Sequence, residues 1–227
     1  KSGMGSSSCF TTGLMNALNT YKVKKITKME LARKTIFFEQ KVLNEIVGSQ
    51  DQVAAAFGGF NKITFSKKNQ INVKKIKSNY LETLNSNLLL IYTGIQRNAE
   101  KVAKKYVNKI TNEKKENIKK IKEYVDEGEK LIMKGDLKNF GVLLHEAWLQ
   151  KKDLSNDITN NKIDQIYNFA IKNGSLGGKL LGAGAGGFLL LYIEKHNQAK
   201  FLSKIKNLVN IPFKFSYSGS EIILNSK

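Results

Sequence analysis

Two glycine-rich stretches, GMGSSS at residues 3–8 and GAGAGG at 182–187, restrict this chain more than any other feature. Ordering glycine costs more backbone entropy than ordering any other residue. Runs of it therefore suit places where the backbone must take a positive φ or come close to another group. Neither stretch fits the interior of a long helix, so each marks a turn between elements. The first, within SGMGSSSCFTTG, precedes an apolar, helix-compatible run that predicts a helix from Ser6 to about Tyr21. Glycines at a helix start let the backbone approach an anion, and the first turn offers unpaired N–H groups and the positive end of the dipole. Serine hydroxyls can add hydrogen bonds or ligate Mg²⁺. No Gly-Lys-Ser/Thr follows, so this is not a Walker A loop. Two readings stay open on the pattern alone: a phosphate loop, or a Gly/Ser linker with a serine cap.

Further along, Thr27 and Glu30 have the spacing of a capping box. They open a helix with Leu31, Ile36, Val42, Leu43 and Ile46 on one apolar face, running to Gly48. Ser49 and Gln52 predict a second capping box and a short helix through Ala56, ended by Gly58 and Gly59. Asp51 falls in that helix's first turn, where the dipole alone favours an acid. Glu39 on the preceding helix adds a second carboxylate. Two carboxylates near a phosphate loop suit phosphoryl transfer, one holding Mg²⁺ and one orienting or deprotonating a hydroxyl.

The rest mixes strands and helices. NKITFSKKNQINVKKI reads as a hairpin over a Lys-Lys-Asn turn, and the polar stretch Lys77–Asn79 as a joint between domains. NLLLIYTG is a buried strand. Helices are predicted from Asn98 to about Met133, from Leu137 to about Lys152 and from Asn161 to Lys172. GGKLLGAGAGGFLLLYIEK, from Gly177 on, reads as a glycine turn leading into a strand at Phe188–Ile193. A helix near Gln198–Leu208 and strands near Phe213–Tyr217 and Glu221–Leu224 follow. Without strict βαβ alternation the class is α+β, with domains at 1–80 and 84–227.

The net charge of +19 raises the question of nucleic acid. Yet of 38 basic residues only Arg33 and Arg97 are arginine, the residue suited to bidentate phosphate recognition. The lysines accompany abundant Asn and Ile, a compositional bias, and the densest run has Glu113 and Glu116 interleaved. A nucleic-acid partner is therefore disfavoured. One cysteine, Cys9, excludes an internal disulfide framework or a CxxC zinc pattern, and fits a reducing, cytoplasmic setting. The longest apolar runs fall short of the roughly 20 residues that span a bilayer, so no membrane partner is expected.

The motifs GMGSSS, VGSQDQ and GAGAGG, in this order, resemble those of the GHMP sugar and metabolite kinases. GSQDQVAAAFGGFNKITF, NLLLIYTGIQRNAEKV, LLHEAWLQKKDLS and GGKLLGAGAGGFLLLY lean toward the D-glycero-D-manno-heptose 7-phosphate kinases, while fucose kinase domains look similar. The resemblance implies a two-lobed α+β fold, the remnant of a ribosomal-protein-S5-like lobe plus a ferredoxin-like C-terminal lobe. It implies that ATP and a sugar phosphate are bound with Mg²⁺. Gly3, Gly5, Ser6, Ser7 and Ser8 would cradle the ATP phosphates, and Ser7 and Glu39 would ligate Mg²⁺. Asp51 would act on the sugar hydroxyl. Gly182, Gly184, Gly186 and Gly187 would brace the loop and line the cleft. The implied reaction phosphorylates the anomeric O1 of the heptose 7-phosphate, for surface polysaccharide synthesis. A phosphorylated substrate needs a cationic pocket, for which Lys151, Lys152, Arg97 and Lys179 are candidates, whereas His145 and Trp148 read as core. The sequence begins inside the family's second motif, with its first motif outside. Alternatives are a kinase for fucose or another sugar, an inactive fragment, or a basic nucleic-acid-binding protein. A homodimer is compatible with all of these.

Overall fold

A helix needs a start that satisfies its first amides, and Thr27 supplies one. Its side chain accepts from the Glu30 amide while Glu30 accepts from the Thr27 amide, so the expected capping box is present. In the computed structural model, which describes residues 4–66, 70–96, 114–205 and 207–224, that box opens α2 (Lys28–Phe37). Helix α1 (Ser6–Tyr21) precedes it and α3 (Gln50–Phe57) follows. Strands β1 (Asn61–Phe65) and β2 (Ile71–Lys75) form the expected antiparallel hairpin, Ile63 opposite Val73. The predicted Lys-Lys-Asn turn, residues 67–69, lies outside the described residues.

These elements belong to one unit, Gly5–Ile76 together with Phe215–Lys227. Its core is Leu31, Ala32, Val53 and Ala56, with Met15, Ile36, Phe57, Ile63 and Val73 packed against them. Helix α2 does not continue to Gly48 as expected. It passes into a π-turn at Phe38–Val42, and Asn44 takes a positive φ of 53°. With the helix broken there, Val42, Leu43 and Ile46 are exposed rather than buried. On α1, Phe10, Leu14, Leu18 and Tyr21 form an exposed apolar stripe. Beside it a shallow groove of about 420 Å³ is lined by Met15, Arg33, Lys34, Phe37, Phe38 and Val42.

The second unit is Lys1–Met4 with Lys77–Lys214. It contains α4 (Leu81–Ser86), β3 (Leu88–Tyr92), α5 (Lys115–Lys134), α6 (Leu137–Lys152) and α7 (Asn161–Lys172). Then come β4 (Gly177–Leu180), β5 (Phe188–Tyr192), α8 (Lys195–Leu202) and β6 (Val209–Asn210). The sheet order is β4-β5-β3-β6, every pair antiparallel. Leu89, Ile91, Leu180, Leu189 and Leu191 meet Trp148, Ile163, Tyr167 and Phe201 in one buried core. Trp148 is therefore core, as expected. The predicted helix from Asn98 is seen only from Lys115, since residues 97–113 lie outside the described residues.

Three expectations fail. The helix expected at Gln198–Leu208 begins earlier, at Lys195, and ends at Leu202. The strands expected near Phe213–Tyr217 and Glu221–Leu224 do not form. Ile211 still donates to the Leu90 carbonyl, but Pro212 has no N–H and the ladder stops. From Phe215 the chain belongs to the unit of Gly5–Ile76. Conversely, Gly177 and Gly178, read as part of a turn, form β4. A Cβ on Gly177 would lie 2.1 Å from the Gly141 carbonyl oxygen, so only glycine lets α6 lie on this strand. Gly141 answers from the helix side, where a Cβ would stand 2.6 Å from the buried Tyr192 ring. Gly141→Ala should thus lower stability by about 2 kcal/mol, although alanine is the better helix former. The check is a Tm lower by about 4 °C or more in thermal denaturation.

Candidate active site

Helix α1 begins without a cap. Gly5 occupies the N-cap position with φ 66°, no side chain caps the helix, and no acid lies in its first turn. The positive end of the helix dipole thus suits an anion. Ser6 and Ser7 are exposed there, and Ser8 is buried. Gly5 must be glycine for two reasons: its φ is left-handed, and a Cβ would lie 3.2 Å from the Asp51 carboxylate. Asp51 is therefore seated directly against the glycine turn. Gly3 lies outside the described residues.

The π-turn carries Glu39 into the same place. A π-turn shifts the register of a helix and so redirects one side chain, which is why such turns recur at functional sites. Glu39 is 1% exposed. Its Oε2 accepts from Ser8 Oγ at 2.9 Å and from Gln52 Nε2. Its Oε1, like Gln52 Oε1, is buried and has no hydrogen-bond partner among the described residues. Buried oxygens of this kind are costly unless a donor or cation meets them.

These features fit Mg²⁺, which takes hard oxygen ligands and commonly uses one or two carboxylates plus substrate phosphates. Among the described residues no cluster of three or more His, Cys, Asp or Glu side chains could hold a metal by itself. The hydroxyl on Glu39 belongs to Ser8. That of Ser7, the expected metal partner, makes no hydrogen bond among the described residues.

Burial pushes the Asp51 carboxyl pKa up, the Glu39 charge adds to this, and a Gln50 hydrogen bond opposes it. The Cys9 thiol is also pushed up, by burial and then by the charges of Asp51 and Glu39. Cys9 thus senses both carboxylates, and Asp51 senses Glu39. The second capping box does not exist. Ser49 has helical rather than extended backbone, its hydroxyl accepts from Gln40 at 3.2 Å, and Gln52 turns inward to Glu39. Gln52 was missed as a site residue because its spacing from Ser49 matched a cap. The polar run SQDQ beside buried helix positions was the available signal.

In the second unit the Gly182–Gly187 turn is packed against neighbouring backbone. Ala185 N donates to the Ile158 carbonyl at 2.7 Å and Gly187 N to that of Ile95 at 2.9 Å. A Cβ on Gly184 would stand 2.7 Å from Ile158 O, and one on Gly186 2.8 Å from Ile95 O. Gly182 and Gly187 have positive φ. Close packing at Gly184 and Gly186 and positive φ at Gly182 and Gly187 therefore favour glycine at these positions.

Lys151 Nζ donates to Gly182 O at 2.6 Å and to Leu180 O at 3.3 Å, holding the turn. Lys152 pairs with Asp164 at 2.7 Å. The ammonium groups of these two lysines thus serve two carbonyls and a carboxylate. Burial draws the Lys179 pKa down. His145 Nδ1 lies 2.8 Å from Tyr167 Oη, with the rings stacked. Arg97 is outside the described residues.

Residues 1–59 match the model of the GHMP kinases N terminal domain, and residues 129–210 match that of the GHMP kinases C terminal domain. The chain is 31% identical over 224 residues to D-glycero-alpha-D-manno-heptose 7-phosphate kinase of Campylobacter jejuni, covering 96% of this chain and 66% of that protein. It is 27% identical over 209 residues to the bifunctional fucokinase/GDP-fucose pyrophosphorylase of Arabidopsis thaliana, covering 88% of this chain and 20% of that protein. A solved D-glycero-D-manno-heptose 1-phosphate kinase from Bacteroides thetaiotaomicron superposes with TM-score 0.75 at 25% identity, covering 96% of this chain and 62% of that one. The L. major mevalonate kinase shares the fold, with TM-score 0.70 at 19% identity, covering 98% of this chain and 68% of that one. The chain spans just under two thirds of the heptose kinases it matches and about a fifth of the bifunctional fucokinase.

Proposed function

The chain belongs to the GHMP kinases, and from that premise we propose that its site transfers the γ-phosphate of ATP to a sugar hydroxyl. The acceptor is the anomeric O1 of D-glycero-D-manno-heptose 7-phosphate, and the product the 1,7-bisphosphate, a precursor for surface polysaccharide. The observation that carries this reading is the meeting of an uncapped helix start with two carboxylates, one buried with a free oxygen and one seated on Gly5.

The ATP phosphates lie at the start of α1, held by the Ser6–Ser8 amides, the Ser7 hydroxyl and the helix dipole. Glu39 Oε1 would hold Mg²⁺ there, and the ion would supply charge neutralisation. Ser8 and Gln52 fix Glu39 Oε2 and so leave Oε1 open. Asp51 accepts the proton of the attacking hydroxyl, and its raised pKa makes it a better base than an exposed aspartate. The left-handed Gly5 keeps a side chain away from that carboxylate.

The substrate is tested by ADP release with Mg²⁺-ATP and a sugar panel. The expected result is turnover with the heptose 7-phosphate at a kcat/KM at least about 100-fold above fucose, galactose or unphosphorylated heptose. Turnover with fucose alone would keep the reaction class and overturn the substrate.

A further inference from the structure

Asp51 sits at the start of an eight-residue helix, and the far end of that helix is tied to the end of the chain. Lys28, the first residue of α2, donates its Nζ to the Phe57 carbonyl at 3.1 Å and to the Ser218 carbonyl. Phe57 is the last residue of α3, so its carbonyl is one that the helix itself leaves unpaired. Gly59 N donates to Ser216 O at 2.7 Å, and the Phe60 and Phe215 rings pack 5.6 Å apart. Asn16 on α1 donates to Ser220 Oγ at 3.0 Å. At the crossing, a Cβ on Gly58 would lie 2.0 Å from Gly219 N, and one on Gly219 would lie 2.6 Å from Ala56 O. Both glycines have positive φ. This strap has no room for a side chain at its centre. It touches α1, α2 and α3, the helices that carry Ser8, lead to Glu39, and carry Asp51.

We infer that Phe215–Ser220 is a positioning strap for Asp51, with Lys28 as its clamp. A short helix held at one end only can swing on its neighbours. From Phe57 to Asp51 the lever is about 9 Å, at roughly 1.5 Å per residue. A swing of several degrees at the clamp moves the carboxylate by about 1 Å, enough to spoil a proton-accepting geometry. ATP phosphates at the start of α1 are bound by groups outside this lever. Losing the clamp should therefore affect turnover rather than nucleotide affinity. The inference rests on the kinase reading for its kinetic consequence and on the fold alone for its effect on α3.

The test compares Lys28→Met and Lys28→Arg with the parent chain. Kinetics are measured with Mg²⁺-ATP and the heptose 7-phosphate, and amide hydrogen exchange is followed across α3. Lys28 is a surface side chain, so both variants should fold. The expected result for Lys28→Met is a kcat lower by about tenfold with the ATP KM within about twofold. Exchange of the α3 amides should be about tenfold faster, and Lys28→Arg should restore both. Unchanged α3 exchange in Lys28→Met overturns the strap whatever the kinetics. Faster exchange with unchanged kcat overturns its positioning role. Turnover absent from the parent itself would refute the kinase reading, while the exchange result would still decide the strap.

Discussion

Asp51→Asn abolishes phosphoryl transfer and leaves the protein at least as stable as its parent at neutral pH. The two effects share one cause. A carboxyl desolvated against Gly5 and sensing Glu39 prefers its protonated form in the folded chain, so its folded pKa exceeds the unfolded value. As pH rises, the unfolded chain ionises first, near the model-peptide value of about 3.9, and stability falls until the folded pKa is passed. Above that the full cost remains, and the neutral amide does not incur it. The Tm of Asp51→Asn should equal or exceed that of the parent at pH about 7, and the difference should vanish toward pH about 3. Asparagine cannot take the proton, so kcat should drop by about 10³-fold or more. A variant that loses activity together with several degrees of Tm would mean that Asp51 is structural.

Glu39→Gln gives the second large effect, through the metal. The glutamine oxygen can replace Oε2 and accept from Ser8 and Gln52, which turns its NH₂ to the position of Oε1. A donor then faces the place where a cation is needed. The fold should survive, because the carboxylate it replaces is buried with one oxygen unpartnered. Mg²⁺ with a non-hydrolysable ATP analogue should raise the Tm of the parent but not of the variant. Turnover at fixed Mg²⁺ should fall by about 100-fold or more. An equal ligand-induced Tm shift in both proteins would remove Glu39 from the metal site.

Local signals made much of this legible. The α1 and α3 spans, the Thr27–Glu30 box and the Leu88–Tyr92 strand follow from caps, glycine stops and apolar runs that act within a few residues. What failed depended on distant partners. Phe213–Tyr217 alternates like a strand but meets the end of α3 instead of a sheet edge. Gly177 and Gly178 look like a turn and become a strand because α6 needs the first to lack a side chain and β5 the second. Within the site, Asp51 and Glu39 were readable as a pair. The Ser8 contact and the inward turn of Gln52 were not, because both depend on the π-turn that redirects Glu39.

The central claim is that this site moves a phosphoryl group from ATP to a sugar. Phosphorus-31 NMR of the chain with Mg²⁺-ATP and the heptose 7-phosphate tests it most directly. The predicted result is loss of the γ-phosphate signal in step with a new glycosyl phosphate resonance that disappears on mild acid treatment. An unchanged ATP spectrum, or γ-phosphate recovered only as inorganic phosphate, would contradict it.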